Sequence, residues 1–221
     1  MATRGRFVVL EGIDGCGKTT QIQALRDWLP RSGLMPARAE LVVTREPGGT
    51  AFGEALRHLL LQPPSTQIPR ERAELLLYAA DRAQHVAECI APALAAGHWV
   101  LSDRFSGSTA AYQGHGRGLP LEAIRQLEAF ATDGLRPDLT LWLDVPLEEA
   151  LLRRRERSRD RIEAEGDDFL RRVREGFHAL AKGAGWWRID ANGSPTAVGE
   201  QCRRALLEHF PAADTVPMPD G

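Results

Sequence analysis

The chain has 221 residues, 43% hydrophobic and 26% charged, with a formal net charge of −2. That length suits one domain with a proper core, and the balanced charge argues against a broad nucleic-acid surface, which would need a basic excess. There is no apolar run near the roughly 18 residues of a membrane helix, no charged-then-apolar leader, and no metal or disulfide spacing among Cys16, Cys89 and Cys202. These features point to a reduced cytoplasmic protein with neither a nucleic-acid nor a membrane partner.

In chain order, short apolar runs alternate with longer helical stretches. Strands are predicted at Arg6–Leu10, Leu41–Thr44, Trp99–Ser102, Leu139–Asp144 and Trp186–Asp190. All are rich in Val, Leu, Ile and Trp, as expected of strands covered on both faces. Helices are predicted at Thr19–Leu29, Ala51–Leu61, Glu71–Ala96, Leu121–Asp133, Leu147–Arg157 and Asp168–Lys182. Gln62–Pro69 reads as a loop because its prolines break a helix. Such alternation implies a three-layer α/β domain with a parallel five-stranded sheet, spanning residues 1–210, with 211–221 as a disordered tail.

In open α/β sheets ligands lie beyond the carboxyl ends of the strands, and three polar motifs sit there. Gly12-Ile13-Asp14-Gly15-Cys16-Gly17-Lys18-Thr19 fits G-x-x-x-x-G-K-[ST], followed by Thr20. Its glycines let several backbone N–H groups face one anion at a helix N-terminus, with Lys18 reaching the β- and γ-phosphates and the Thr19 hydroxyl on Mg²⁺. A chance glycine turn is the bland alternative, and the strand before it and helix after it argue against that. The loop alone does not separate a kinase from a switch, but no N-K-x-D guanine-reading motif is present.

"TREPGGT" follows the second strand and "SDRFSGS" the third. Arg45 could fork onto a phosphate. Asp103 beside Arg104 could steer Mg²⁺-bound water or the acceptor phosphate, or could be an internal ion pair. Tyr78 and Arg82 share one helix face at i and i+4, as would suit a base stacked on a ring and bonded at its edge. Core tyrosine with solvent arginine is the plainer reading for such a pair.

With "EGIDGCGKTT", "TREPGGT", "DRFSGSTAAYQG" and "RPDLTLWLDV" in this order, the chain resembles the bacterial thymidylate kinase (dTMP kinase) family. The resemblance implies the P-loop nucleoside monophosphate kinase fold, a homodimer, Mg²⁺, and transfer of the γ-phosphate of ATP to dTMP, giving dTDP. It also implies that Asp14 holds the acceptor 3′-hydroxyl and that Arg45 and Arg104 grip the acceptor phosphate. Tyr78 would stack on thymine where phenylalanine is usual, Arg82 would bond the base, and Tyr112 would crowd the 2′ position. Thr109 and Gln113 are further candidates for base contacts.

The run Arg153–Arg161 holds six arginines in nine residues. By composition it reads as a solvated helix face or a nucleic-acid patch. By the resemblance it is an arginine-rich lid, about residues 153–165. Some family members carry the catalytic arginine in the P-loop, where this chain has Gly15. The lid must then supply it, from Arg157 first or Arg159 second, with Arg153 a candidate for adenine. A guanidinium there would stabilise charge spread over the transferring phosphoryl group without any proton transfer.

Overall fold

The structure is a computed structural model. It describes residues 4–64, 68–154, 161–162 and 165–212, the side chain of residue 154 excepted. Five parallel strands form one sheet: β1 Phe7–Glu11, β2 Leu41–Arg45, β3 Trp99–Asp103, β4 Leu139–Asp144 and β5 Trp186–Asp190. The spatial order is β2-β3-β1-β4-β5. Register aligns Leu10 with Asp103 on one side and with Leu141 on the other. The polar strand ends and the loops after them therefore finish along one edge, with the P-loop central.

The helices are α1 Lys18–Trp28, α2 Ala51–Leu61, α3 Glu71–His85, α4 Ala91–Ala95, α5 Ser106–Thr109, α6 Leu121–Ala131, α7 Leu147–Arg154, α8 Asp167–Leu180 and α9 Pro195–His209. Alternate residues of β1 enter different cores, as the two-residue period of a strand requires. Val8 and Leu10 pack in a large core with Leu25 of α1, Phe177 of α8 and Cys202 of α9. Phe7 and Val9 pack in a smaller one with Val86, Ile90 and Leu94. That division is the three-layer arrangement expected from the sequence.

Several boundaries differ from expectation. The helix predicted over Glu71–Ala96 is α3, then a wider π turn at Val86–Ile90, then α4. Pro92 near the start of α4 has no N–H for the carbonyl one turn back, and the ladder widens just before it. The stretch after β3, where no helix is predicted, coils into α5 and a π turn over Ala110–Gly116. The reason is tertiary: buried Glu11 accepts the N–H groups of Phe105 at 3.0 Å and Ser108 at 2.9 Å, plus the Ser108 hydroxyl at 2.6 Å. Helix α9, not anticipated, opens with Ser194 accepting from the Ala197 N–H and Pro195 in its first turn. Arg157, Arg159, most of the lid range and residues 213–221 of the expected tail lie outside the described residues.

Phe177 is fully buried, with its ring edge-on to Tyr112 at 6.2 Å. Phe177→Ala should cost about 3–5 kcal/mol, read as a lower urea midpoint with an unchanged slope.

Candidate active site

The P-loop runs from β1 into α1 through three left-handed glycines, Gly12 (φ 144°), Gly15 (φ 86°) and Gly17 (φ 100°). A Cβ on Gly12 would lie 2.7 Å from the Leu143 carbonyl oxygen, so this turn admits only glycine. No side chain caps α1, which leaves its first N–H groups for an anion. Lys18 is buried, its Nζ donating to the carbonyls of Gly12 (3.0 Å) and Ile13 (3.2 Å). Thr19 and Thr20 are exposed, whereas Cys16 is buried.

Beside the P-loop is a cleft lined by Asp14, Tyr78, Arg82, Arg104, Thr109, Tyr112 and Gln113, seven of the eight expected acceptor-site residues. Arg104 marks its phosphate-loop end. Its backbone is left-handed at φ 73°, a conformation of cost about 1 kcal/mol, held by Arg104 N–H to Leu10 O (3.0 Å) and by the Ser102 hydroxyl on Arg104 O (2.8 Å). The guanidinium bonds Asp14 at 2.6 Å, the Gly12 carbonyl at 3.0 Å and Ser108 at 2.9 Å. Tyr112 donates its hydroxyl to Asp14 at 3.1 Å. Burial alone would raise the Asp14 pKa, but the Arg104 and Lys18 charges overcome it and hold the carboxyl well below the usual range.

At the other end Arg82 is fully buried, the reverse of the solvent position that helix periodicity would give it. Its Nε and NH2 meet Glu46 at 2.7 Å, and its NH1 donates to Thr109 (2.8 Å) and Glu128 (2.6 Å). Three of the five guanidinium N–H groups are thus hydrogen-bonded, and NH2 lies against the Glu46 carboxylate. Burial would lower the Arg82 pKa, and the Glu128 and Glu46 carboxylates more than reverse that.

Arg45, the eighth expected residue, does not line this cleft. It is exposed and paired with Glu54 at 2.5 Å. A residue not singled out from the sequence does line it: Arg57 of α2, half-buried, donating to the Pro47 carbonyl at 2.9 Å. Burial, then the charges of Arg45 and Arg104, push its guanidinium pKa down. Converging like charges at a cleft wall are what an anion would relieve. Its sequence signal was weak, an arginine about two turns into an ordinary amphipathic helix. Asp103 has a buried Oδ1 with no partner among the described residues, and Arg153 bonds Glu149 (2.8 Å) and the Ala191 carbonyl (3.1 Å).

The family model for thymidylate kinase matches residues 10–202. Among curated proteins, the thymidylate kinase of Prochlorococcus marinus (strain MIT 9313) is 63% identical over 206 residues, 93% of this chain and 95% of that protein. The chain belongs to the thymidylate kinase family. The thymidylate kinase of Synechococcus sp. (strain RCC307) is likewise 63% identical, over 93% of this chain and 97% of its own length. Among solved structures, thymidylate kinase from Ehrlichia chaffeensis aligns with TM-score 0.73 at 33% identity, covering 92% of this chain and 99% of that one. Nucleotide-dependent phosphoryl transfer is the family's chemistry, and in this member the cleft abuts the phosphate loop, as such a transfer requires.

Beneath the "TREPGG" turn, Asp81 accepts the Gly48 N–H at 3.0 Å, while its buried Oδ2 has no partner among the described residues. Burial, then the nearby Glu46 charge, raises its pKa to about 6. A carboxyl raised from 3.8 when unfolded contributes stability that is complete below pH 4 and lost as pH climbs through 6. Two pK units correspond to about 3 kcal/mol. Asp81→Asn should therefore gain on the parent chain by up to about that much between pH 4 and pH 8. Paired thermal melts across that range check it, and a constant difference between the two proteins would contradict it.

Proposed function

We infer that this chain transfers the γ-phosphate of ATP to dTMP, yielding ADP and dTDP. The observation that carries the reading is the continuity of the two sites through Asp14, which belongs to the P-loop yet faces the acceptor cleft. ATP would bind with its phosphates against the uncapped start of α1, Lys18 exchanging the Gly12 and Ile13 carbonyls for phosphate oxygens. The acceptor phosphate would lie toward Arg104 and Arg57, with Arg45 joining from the rim, and the base toward Tyr78, Arg82, Thr109 and Gln113. Asp14 would take the 3′-hydroxyl, and Tyr112 would narrow the space at the 2′ carbon.

The residues present fit a magnesium ion. The exposed Thr19 hydroxyl and the Asp103 Oδ1, without a partner among the described residues, are hard oxygen donors at the carboxyl edge of the sheet. Bound with ATP, Mg²⁺ neutralises charge on the β- and γ-phosphates. The acceptor phosphate is already an anion near neutral pH, so no general base is needed. Asp103 is accordingly given a positioning task and not a proton. Arg157, or Arg159 in its place, supplies the transition-state charge from the lid.

We also assign the active form as a homodimer. α3 turns Ala73, Leu76 and Ala80 to solvent, and the π turn after it Ala87, with Phe52 and Leu59 exposed on neighbouring α2. An apolar face of this kind fits a second copy. The three free cysteines suit a reducing cytoplasm.

ADP release from ATP and Mg²⁺, with dTMP, dUMP, UMP, CMP, GMP and AMP offered in parallel, should show turnover strongly favouring dTMP. ATP binding without turnover on any acceptor would reduce the protein to a nucleotide-binding switch. Two arginine variants separate the roles. Arg57→Ala should raise the KM for dTMP by about tenfold or more with kcat little changed, since it removes ground-state phosphate binding. Arg157→Ala should lower kcat by at least about 10³-fold with KM nearly constant. A raised KM with intact kcat in Arg157→Ala would remove it from the transition state.

A further inference from the structure

One carboxylate at the base end of the cleft is used by none of the roles above. Glu74, in the first turn of α3, is fully buried. Its Oε1 accepts from Gln113 Nε2 at 2.8 Å and from Arg117 Nε at 3.2 Å. Its Oε2 accepts from Arg117 NH2 at 3.1 Å and from Arg161. Arg161 also donates its Nε to the Leu60 carbonyl at 3.0 Å and its backbone N–H to the Leu61 carbonyl at 3.3 Å. The next residue, Ile162, is buried and lines the cleft.

We propose that Glu74 is a positioning residue that sets which pyrimidine the cleft accepts, by fixing the polarity of the Gln113 amide. The proposal rests on the reading of this cleft as the acceptor-base site. An ionised carboxylate only accepts hydrogen bonds, whereas an amide end can present either its NH₂ or its oxygen. Glu74 takes the NH₂ of Gln113, so the Gln113 carbonyl oxygen is left for the cleft. Rotating that amide would aim its oxygen at a carboxylate oxygen, two acceptors facing each other with no hydrogen between them.

Two arginines keep Glu74 ionised. Burial would raise its pKa, but the hydrogen bonds from Arg117, Gln113 and Arg161 together bring it below the usual value. Arg82 lines the same cleft and adds a guanidinium N–H on NH2, which makes none of the hydrogen bonds to Thr109 and Glu128. The cleft lining then includes a donor on Arg82 and an acceptor on Gln113. Thymine and uracil present the complement, a ring carbonyl next to a ring N–H. Cytosine presents an amino group next to an unprotonated ring nitrogen, which opposes both. The selection is against cytosine and does not separate thymine from uracil.

The test compares kcat/KM for dTMP with that for dCMP. Glu74→Gln keeps the size of the side chain but can donate as well as accept, which frees the Gln113 amide to turn. The dTMP-to-dCMP ratio should fall at least tenfold. Arg117→Lys, which loosens the same clamp yet keeps a cation beside the carboxylate so that it stays an acceptor only, should hold the ratio. In a Gln113→Met background Glu74→Gln should produce no further fall. Equal losses on both substrates in Glu74→Gln would show a merely structural clamp and overturn the proposal. A parent chain that does not prefer dTMP over dCMP would instead overturn the base-site reading itself. If Glu74→Gln does not fold, hydrogen exchange of the Gln113 side-chain amide in the parent chain decides. The amide is assigned by its loss in Gln113→Met. Protection supports the fixed orientation, and exchange as fast as in exposed glutamines rules it out.

Discussion

A buried guanidinium, Arg82 between Glu46 and Glu128, is the constraint around which the acceptor side of this molecule is arranged. A charge removed from water is tolerable only when paired and fully hydrogen-bonded. The pairing draws together α3, the turn after β2, α6 and, through Thr109, α5. Removing the cation would strand two carboxylates, a loss of about 3–5 kcal/mol by the general behaviour of such pairs. His85 extends the network, its Nδ1 2.9 Å from Glu46 and its Nε2 2.7 Å from Thr44. Burial would lower its pKa, but Cys89 and Glu46 raise it to about 9, so the ring carries a second buried positive charge at neutral pH.

The opposite end of the cleft follows the opposite logic. Arg82 is paired with two buried carboxylates, but Arg57 lies among like charges that disfavour its own protonation, and among the described residues Arg45 is paired with a surface carboxylate, Glu54. In the proposed reading, the base end is thus pre-paired and the phosphate end is left short of negative charge. Such a division places specificity where the hydrogen bonds are fixed and binding energy where an anion is lacking. Asp14 is the hinge between them: its carboxylate ties Arg104 and Tyr112 to the P-loop, so the donor and acceptor sides share one hydrogen-bonded frame.

Legibility in the sequence tracked the range of the interaction. The P-loop could be read directly, because its glycines and its lysine act through local backbone geometry, and Gly12, Gly15 and Gly17 are indeed left-handed. The five strands were legible within a residue or so, since each is a short apolar run between breakers. Arg82 was legible as a position but not as an environment: an arginine on a helix predicts solvent until its carboxylate partners, 36 and 46 residues away, are known. Arg57 and Glu74 were missed for the same reason. Nothing within a turn of either residue signals a guanidinium crowded by like charges or a four-way clamp.

The sequence by itself therefore determined the alternating parallel architecture, the phosphate loop and the family, because periodicity, turn chemistry and short motifs are properties of neighbours in the chain. The coiling of Ser106–Gly116 into helix, the burial of Arg82, the crowding of Arg57 and the fixed amide of Gln113 were decided only by the tertiary structure. Each depends on a partner brought in by folding, Glu11, Glu46, Arg45 or Glu74, and the sign of a buried charge's effect is set by what it faces, not by where it stands in the sequence.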